Sequence, residues 1–423
     1  MERRRPEGWA AGEAPTAGTP KRRVRVLVLT YFYAPEPNFI TEDVARALAE
    51  QAEVTVIAPH PNYPRGRFYP GTRWWLPRRT REQGVTVWRV PMFPDHSNST
   101  VRRFVSYISF MLAAAVLAPF VSGRPAVVWV YQTPFTTVLA GLWYKYLLRA
   151  RLVYTCADLW PESFSAAGVS QSTRILRWAF AYRRFVNRRA DHIVCSTRGT
   201  LERFAAEGVP RDRLAFVPVW VQGIESLPED SPAAAGPPTV VYAGNLGPAQ
   251  QLDCVVRGAR VLLDRGVEVR VELYGAGSAE EELRALAEEL GATNVRFPGR
   301  VPPEEAFRVL SAAAGQVVCL RRSPLFEMTI PSKLCSAFAA GAPILYALRG
   351  EPAEIVNRTG AGFEFDPEAP ATFADSVERL LALGAGERAK MRARLQRTYR
   401  DEFEAGTLLR RYRELLLSPN SAY

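Results

Sequence analysis

The sequence predicts an α/β protein made of two doubly wound domains, each a mostly parallel sheet with helices on both faces. Three observations carry that expectation. Short apolar runs alternate with helical stretches from Val24 onward, the order of a parallel sheet with crossover helices. The runs are continuous in hydropathy, as strands buried on both faces are. A Pro- and Gly-rich stretch at 223–238, GIESLPEDSPAAAGPP, interrupts the alternation, which then begins again. The 423 residues, 48% of them hydrophobic, suffice for two such cores and not for three of ordinary size.

Residues 1–23 are polar and rich in Pro, Gly and Ala, without the apolar centre of a signal peptide, and are expected to form a disordered basic tail. VRVLVLT is the first strand and EDVARALAEQ the first helix. Thr41 is its expected N-cap, with Glu42 and Asp43 at the positive end of the helix dipole. EVTVIAP, AVVWVY, RLVYTCA and DHIVCS continue the sheet, so the first domain spans 24–222. From 239 the pattern repeats with TVVYAG, a helix near Leu252–Asp264, VEVRVELYG, AEEELRALAEELG, NVRFPG, PEEAFRVLSAAAG, QVVCL and TIPSKLCSAFAAGAPILY. Gly291 and Gly315 fall just past helical runs, as helix-ending glycines do. The closing segment, ERAKMRARLQRTYRDEFEAGTLLRRYRELLL, is helical in composition with a break near Gly406.

A net charge of +11 points to an acidic partner: nucleic acid, a phosphorylated small molecule or an anionic membrane. Five scattered cysteines in apolar surroundings read as reduced core thiols of a cytosolic protein. The three histidines form no ligand pattern with them, so no metal site is expected.

Five stretches could carry chemistry. TYFYAPEPNFIT, after the first strand, lacks the glycines a pyrophosphate would need. Phe32, Tyr33 and Phe39, with Asn38 beside them, make it either the wall of a substrate cleft or an ordinary packed loop. LYGAGSAEEEL places Gly275 and Gly277 between strand and helix, but Glu280 at the third glycine position opposes a phosphate. These glycines let the backbone turn beside a ligand or serve the turn alone. In YAGNLGPAQQLD, the amides around Gly244, Asn245 and Gly247 could donate to a phosphate or a sugar hydroxyl. CADLWPESF sets Asp158 and Glu162 beside Trp160, either a carbohydrate site or a capped turn with a core tryptophan. In TIPSKLCSAFAAGAPILY, Pro331 opens a helix with Lys333 in its first turn. Free amides, helix dipole and lysine charge coincide there, as in an anion site.

Basic residues gather at RRFVSYISFMLAAAVLAPF (102–120) and RILRWAFAYRRFVNRRA (174–190). The apolar run of the first is shorter than the ~20 residues a spanning helix needs, leaving a core helix or an interfacial one. The second interleaves arginines with aromatics, fitting anionic lipid or solvated surface; no nucleic-acid module accompanies it.

Together, PHPNYPRGRFYPG, DLWPES, YAGNLGPAQQLD and IPSK followed by AAGAPI resemble glycosyltransferase family 4, the retaining nucleotide-sugar transferases whose two Rossmann-like domains face across a cleft in the GT-B fold. The resemblance runs from about Val24 to about Leu417 and is nearest the branch that includes N-acetylfucosamine-type transferases of bacterial surface-polysaccharide assembly. It implies transfer with retained configuration and without metal or other cofactor. The donor, a nucleoside-diphosphate sugar and here a UDP-linked one, would bind the second domain, 239–403. The acceptor, a polyprenyl-diphosphate-linked glycan, would lie against the first. The enzyme would be peripheral on the cytoplasmic face of the bacterial plasma membrane, and its terminal helix, about 404–418, would cross back to the first domain.

The resemblance assigns catalysis to Lys333, which meets the departing diphosphate, and to Asp158 and Glu162, which orient hydroxyls. Donor contacts are expected from Gly244, Asn245, Gly247, Gly275, Gly277, Arg300, Glu327, Pro331, Ser332, Ser336 and Glu351, and acceptor contacts from Tyr33, Asn38 and Trp160. Two departures stand out. Ser336 and Met328 hold the places of the family's two glutamates, so either the nucleotide is held more weakly or differently, or Glu327 and Glu351 compensate. NLGPAQQ also lacks the usual basic residue, which leaves Lys333 and Arg300 for the diphosphate. A non-catalytic scaffold with a degenerate donor site is the alternative that these departures raise.

Overall fold

The computed structural model describes residues 23–36, 39–97, 99–121, 123–162, 173–222, 224, 226–228 and 236–418. Residues 1–22 of the expected tail, much of the expected linker, and Asn38 lie outside them.

The first half of the chain builds an eight-stranded sheet. In chain order its elements are β1 (Val24–Leu29), α1 (Phe39–Ala49), β2 (Ala52–Pro59), β3 (Arg78–Glu82), β4 (Val85–Val90), α2 (Thr100–Val121), β5 (Val127–Tyr131), α3 (Thr137–Leu148), β6 (Arg151–Cys156), α4 (Thr173–Asn187), β7 (His192–Cys195), α5 (Arg198–Ala206) and β8 (Leu214–Phe216). The strand order is β3-β4-β2-β1-β5-β6-β7-β8. Among the described residues only the β3–β4 pair is antiparallel.

The second half builds a six-stranded parallel sheet in the order β11-β10-β9-β12-β13-β14. It comprises β9 (Thr239–Ala243), α6 (Asp253–Asp264), β10 (Arg270–Tyr274), α7 (Glu280–Glu289), β11 (Val295–Gly299), α8 (Pro303–Ala312), β12 (Gly315–Cys319), α9 (Pro324–Glu327), α10 (Ser332–Ala340), β13 (Ile344–Ala347), α11 (Glu351–Thr359), β14 (Gly362–Glu364), α12 (Pro370–Leu381) and α13 (Ala385–Thr398). A π-helical turn at Tyr399–Phe403 then leads into α14 (Ala405–Leu417). The doubly wound class expected from the sequence is the one observed.

The first core lies on both faces of its sheet. One face packs against α2, α3 and α5 through Phe110, Tyr144 and Phe204; the other packs against α1 and α14 through Val44, Leu48, Leu408 and Tyr412. The terminal helix therefore crosses back to the first sheet. The Arg151 guanidinium fixes its end by donating to the carbonyls of Leu415 (2.7 Å), Leu416 (2.9 Å) and Ser418 (2.8 Å), a cation at the negative pole of the helix.

Local details correct the sequence reading. Helix α1 begins at Phe39, so Thr41 lies inside it, and its hydroxyl donates to the Phe32 carbonyl rather than capping. The β3–β4 hairpin turns at Gln83 and Gly84, both at positive φ. Its edge strand, RRTRE, holds no apolar residue and so gave no hydropathy signal. Helix α2 starts at Thr100 and lies along the sheet, burying Ser106, Phe110 and Ala114. It is long and apolar enough to cross a bilayer by length and composition, and only 17% of that stretch is buried, less than a core helix would be.

In each sheet the order reverses beside one strand, β1 in the first and β9 in the second. Ligands of open parallel sheets bind beyond the carboxyl ends of the strands at such switch points. The loops after β1 and β9 stand at these points.

Candidate active site

On the second sheet, the turns after β9 and β10 lie backbone to backbone. Gly244 N–H donates to the Tyr274 carbonyl (2.9 Å), Leu246 N–H to that of Ala276 (3.0 Å), and Gly275 N–H to that of Gly299 (2.8 Å). A Cβ at Gly275 would stand 1.7 Å from the Gly244 oxygen, and one at Gly277 2.1 Å from the Leu246 oxygen. These glycines exist to let two turns touch. For Gly275 and Gly277 this fits the expectation that they serve the turn, whereas the Gly244 and Gly247 amides, expected to donate to a ligand, are engaged by the Tyr274 carbonyl and by Gln250 Oε1 (3.2 Å). Asn245 stays exposed at the tip, its carbonyl accepting from the Tyr242 hydroxyl (2.7 Å).

That tight packing leaves a channel over Gly244, and Lys333 fills it. Helix α10 starts at Ser332, one residue later than expected, with Pro331 as its N-cap. The Lys333 stem passes so close to Gly244 that a Cβ there would stand 2.0 Å from Cε. Nζ ends 5.4 Å from the centroid of the Tyr242 ring. Burial holds the ammonium below its ordinary pKa, opposed by the Cys319 thiol nearby. Among the described residues no carboxylate lies within 4.0 Å of Nζ. Ser332 is exposed at the helix start, and Ser336 lies one turn along, half-buried.

The other expected donor residues are not gathered here. Arg300 is exposed beyond β11, two strands from β9, about 10 Å at ~4.8 Å per strand. Glu327 is exposed at the end of α9, its backbone pressed against Gly350. Glu351 is committed across the cleft: its carboxylate accepts from the Arg198 and Gly199 amides of the first sheet's α5, both at 2.7 Å. A carboxylate on a helix N-terminus is a favourable contact, and here it joins the two halves. The expectation that Glu351 compensates for Ser336 is corrected accordingly.

On the first sheet, DLWPES follows β6. Asp158 keeps an open face, yet it sits low enough in the cleft that desolvation raises its pKa, and no Lys or Arg among the described residues lies within 4.0 Å. Glu162 is engaged elsewhere. It accepts from Arg183 (2.6 Å) and lies 3.8 Å from Arg203, while Arg183 also donates to the Trp160 carbonyl (3.1 Å) and pairs with Glu207. Glu162 therefore anchors the loop through Oε2, while its Oε1 is buried without a hydrogen-bond partner among the described residues. Trp160 is no open platform either: its ring stacks on Phe135 at 3.6 Å, with Tyr182 edge-on. Tyr33 is 2% exposed beneath the Arg89 guanidinium, 5.6 Å from its ring, and belongs to the core. Its expected acceptor role is corrected on that ground.

Two residues escaped the sequence reading. Arg183 is 5% exposed in a helix whose other arginines face outward, so only burial singles it out. Glu36 is buried after β1, where one oxygen accepts from the Asn62 (2.7 Å) and Tyr63 (2.9 Å) amides. An isolated glutamate in a Pro-rich loop gave no sign of this.

The first sheet thus presents an exposed carboxylate, Asp158, beyond β6, and the second a desolvated lysine at a helix start with no carboxylate partner among the described residues. Comparison with known proteins identifies the class further. Residues 37–220 match the glycosyl transferase 4-like domain and residues 223–400 the glycosyl transferases group 1 family, so the chain belongs to the glycosyltransferases built from these two domains. It is 25% identical over 343 residues to WcaI of Escherichia coli (strain K12), a glycosyl transferase named for colanic acid biosynthesis, covering 75% of this chain and 82% of that one. Its fold matches Anabaena HepE in complex with UDP and glucose with a TM-score of 0.65 at 14% identity, covering 93% of this chain and 100% of the other. It also matches WaaG, a glycosyltransferase involved in lipopolysaccharide biosynthesis, with a TM-score of 0.62 at 14% identity, over 92% and 99% of the two chains.

Proposed function

We propose that this glycosyltransferase moves a sugar, with retained anomeric configuration, from a nucleoside-diphosphate sugar on its second sheet to a lipid-linked glycan on its first. The observation that carries this reading is Lys333: a desolvated ammonium without a carboxylate partner, at the start of α10. Such a group is costly to the fold unless an anion completes it. A diphosphate fits, because its charge grows as the sugar departs and a fixed cation in a dry cleft stabilises that change most.

The transfer needs no protein nucleophile. The bond from the anomeric carbon to the phosphate oxygen breaks, the acceptor oxygen bonds the same carbon on the same face, and the acceptor proton passes to the departing phosphate. Asp158 accepts a hydrogen bond from a sugar hydroxyl and does not attack carbon. Ser332 adds a hydroxyl at the diphosphate, and Ser336 a neutral contact to the nucleotide. Lys333 and the helix start take the place a metal ion would have, so full turnover is expected in the presence of a chelator.

A membrane setting is supported by the outer layer of the first sheet. Helices α2, α3 and α4 contain no acidic residue. They leave Phe104, Leu112, Val116 and Phe120, then Trp143 and Tyr146, then Ile175 and Trp178 exposed, Phe120 at 82% and Trp178 at 78%. Apolar and aromatic tips among arginines fit the surface of an anionic bilayer. The names of WcaI and WaaG favour a bacterial cell-surface glycan as product, HepE's ligand favours a UDP-linked donor, and the two family matches, 37–220 and 223–400, favour a domain boundary at the start of the expected 223–238 linker. Incubation with UDP-sugars and a polyprenyl-diphosphate-linked sugar, followed by NMR of the new linkage, tests the reading. Retained configuration, lost with Lys333→Ala, is expected; inverted product or undiminished turnover in the variant would contradict it.

A further inference from the structure

A groove of about 710 Å³ opens on the first sheet, at the carboxyl ends of β1, β2 and β4. Pro35 after β1, His60 after β2 and Arg78 of β3 form its walls, and the loop through Thr72 and Arg73 closes its outer side. Neither the family matches nor the expected site residues account for it.

Its charge is offset from within only in part, by Glu82, which lines the groove and acts on Arg89. Arg89, at its base, is spent on the carbonyls of Pro59 (3.0 Å) and Ala34. Glu82 accepts from the Thr80 hydroxyl (2.9 Å). Arg73 and Arg78 are exposed, and among the described residues no carboxylate lies within 4.0 Å of either. Two guanidiniums on one groove match phosphate oxygens in charge and in fork geometry.

The rim is apolar. Trp74, Trp75 and Leu76 follow Arg73 directly and are 46%, 57% and 50% exposed, with Trp74 stacked on Phe68 at 5.8 Å. The loop that carries them is continuous with the outer helical layer. Gly66 lies against the His96 backbone so closely that a Cβ would stand 2.5 Å from its nitrogen, and nearby Phe93 sits under the Arg102 guanidinium of α2 at 5.6 Å. A cationic groove with an aromatic lip, beside a basic apolar face, suits an anion joined to a long apolar chain.

The placement also suits the chemistry. β2 lies three strands from β6, after which Asp158 stands, roughly 14 Å at ~4.8 Å per strand. A phosphate held in the groove would direct one or two attached sugars along the carboxyl edge of the sheet toward Asp158.

We propose that this groove is the subsite for the phosphate or diphosphate of the lipid-linked acceptor. Arg73 and Arg78 hold the anion, and Trp74, Trp75 and Leu76 receive the first part of its chain at the membrane surface. The assignment rests on the acceptor being lipid-linked, as proposed above.

The test compares the full-length protein with its Arg73→Ser/Arg78→Ser variant on two acceptors: a polyprenyl-diphosphate-linked sugar in phosphatidylglycerol vesicles, and the same sugar on a short phosphate-free aglycone. The variant is expected to raise KM for the lipid acceptor at least tenfold. KM for the phosphate-free acceptor, KM for the donor and kcat are expected to stay within twofold. Inorganic pyrophosphate is expected to compete with the lipid acceptor in the wild type and to lose potency in the variant. An unchanged KM for the lipid acceptor, or an equal rise for both acceptors, would overturn the assignment. A rise explained entirely by lost flotation with vesicles would overturn it too, making the groove a general headgroup contact. If the wild type binds UDP but transfers only to the phosphate-free acceptor, the lipid-linked reading fails and this subsite with it; if it binds no nucleotide, the donor reading fails separately.

Discussion

Arg183 and Lys333 are both cations largely withdrawn from water, one in each half of the chain, and they differ in company. Arg183 is surrounded by Glu162, Glu207 and the Trp160 carbonyl. Lys333 has an aromatic face, a glycine backbone and, among the described residues, no carboxylate within 4.0 Å. A buried charge that serves the fold is satisfied by the fold, whereas one that serves a ligand is left for the ligand to satisfy. Each can be tested by asking whether its loss is felt in stability or in binding.

The largest effect is expected at Arg183. Replacing it with Met strands two partly buried carboxylates and should cost about 3 to 5 kcal/mol of stability, read as a large fall in the denaturation midpoint. Stability unaltered by this change would erase the contrast with Lys333.

Next comes a pH effect on Lys333. Its pKa is held below the ordinary 10.5 by desolvation, so the ammonium loses its proton at a lower pH than a free lysine. Diphosphate binding should therefore weaken as pH rises through that lowered value, by the worth of a charge-assisted contact, about 1.5 to 3 kcal/mol. The ligand-free protein should gain stability over the same window, because the unfolded chain still binds the proton there. A binding profile that is flat until the ordinary lysine range would remove desolvation from the account.

Smaller changes refine the picture. Ser336→Glu exchanges a neutral contact for a charged one and should tighten nucleotide binding by about 0.5 to 1.5 kcal/mol, measured by titration calorimetry; weaker binding would show that Ser336 points away from the ribose. Glu351→Gln keeps one acceptor oxygen for α5 and loses the charge, costing about 1 kcal/mol. Small-angle scattering should then show a broader separation of the two halves, and an unchanged profile would mean that Glu351 does not hold them together.

Much of the fold was legible because parallel strands buried on both faces are continuous apolar words, and VRVLVL, VVWVY and QVVC read as nothing else. The β3–β4 hairpin was not, because RRTRE is an edge strand that faces water. Lys333 could be found from Pro-Ser-Lys at a helix start, a local signal. Glu351 could not, since its partners lie 153 and 152 positions away and its sequence context suits a nucleotide contact equally well. Tyr33 and Trp160 show the same limit: an aromatic residue in a loop reads alike as cleft wall or core, and only Arg89 and Phe135 packed against them decide the matter.

The central claim is that Lys333 is kept without a carboxylate partner for a nucleoside diphosphate. Calorimetric titration of UDP into the wild type and the Lys333→Met variant, with thermal melting of both, tests it directly. Affinity is expected to fall by tenfold or more while the melting temperature holds or rises, because a desolvated charge has been removed. Equal affinity in the two proteins, or a melting temperature that collapses as it does for Arg183→Met, would contradict the claim.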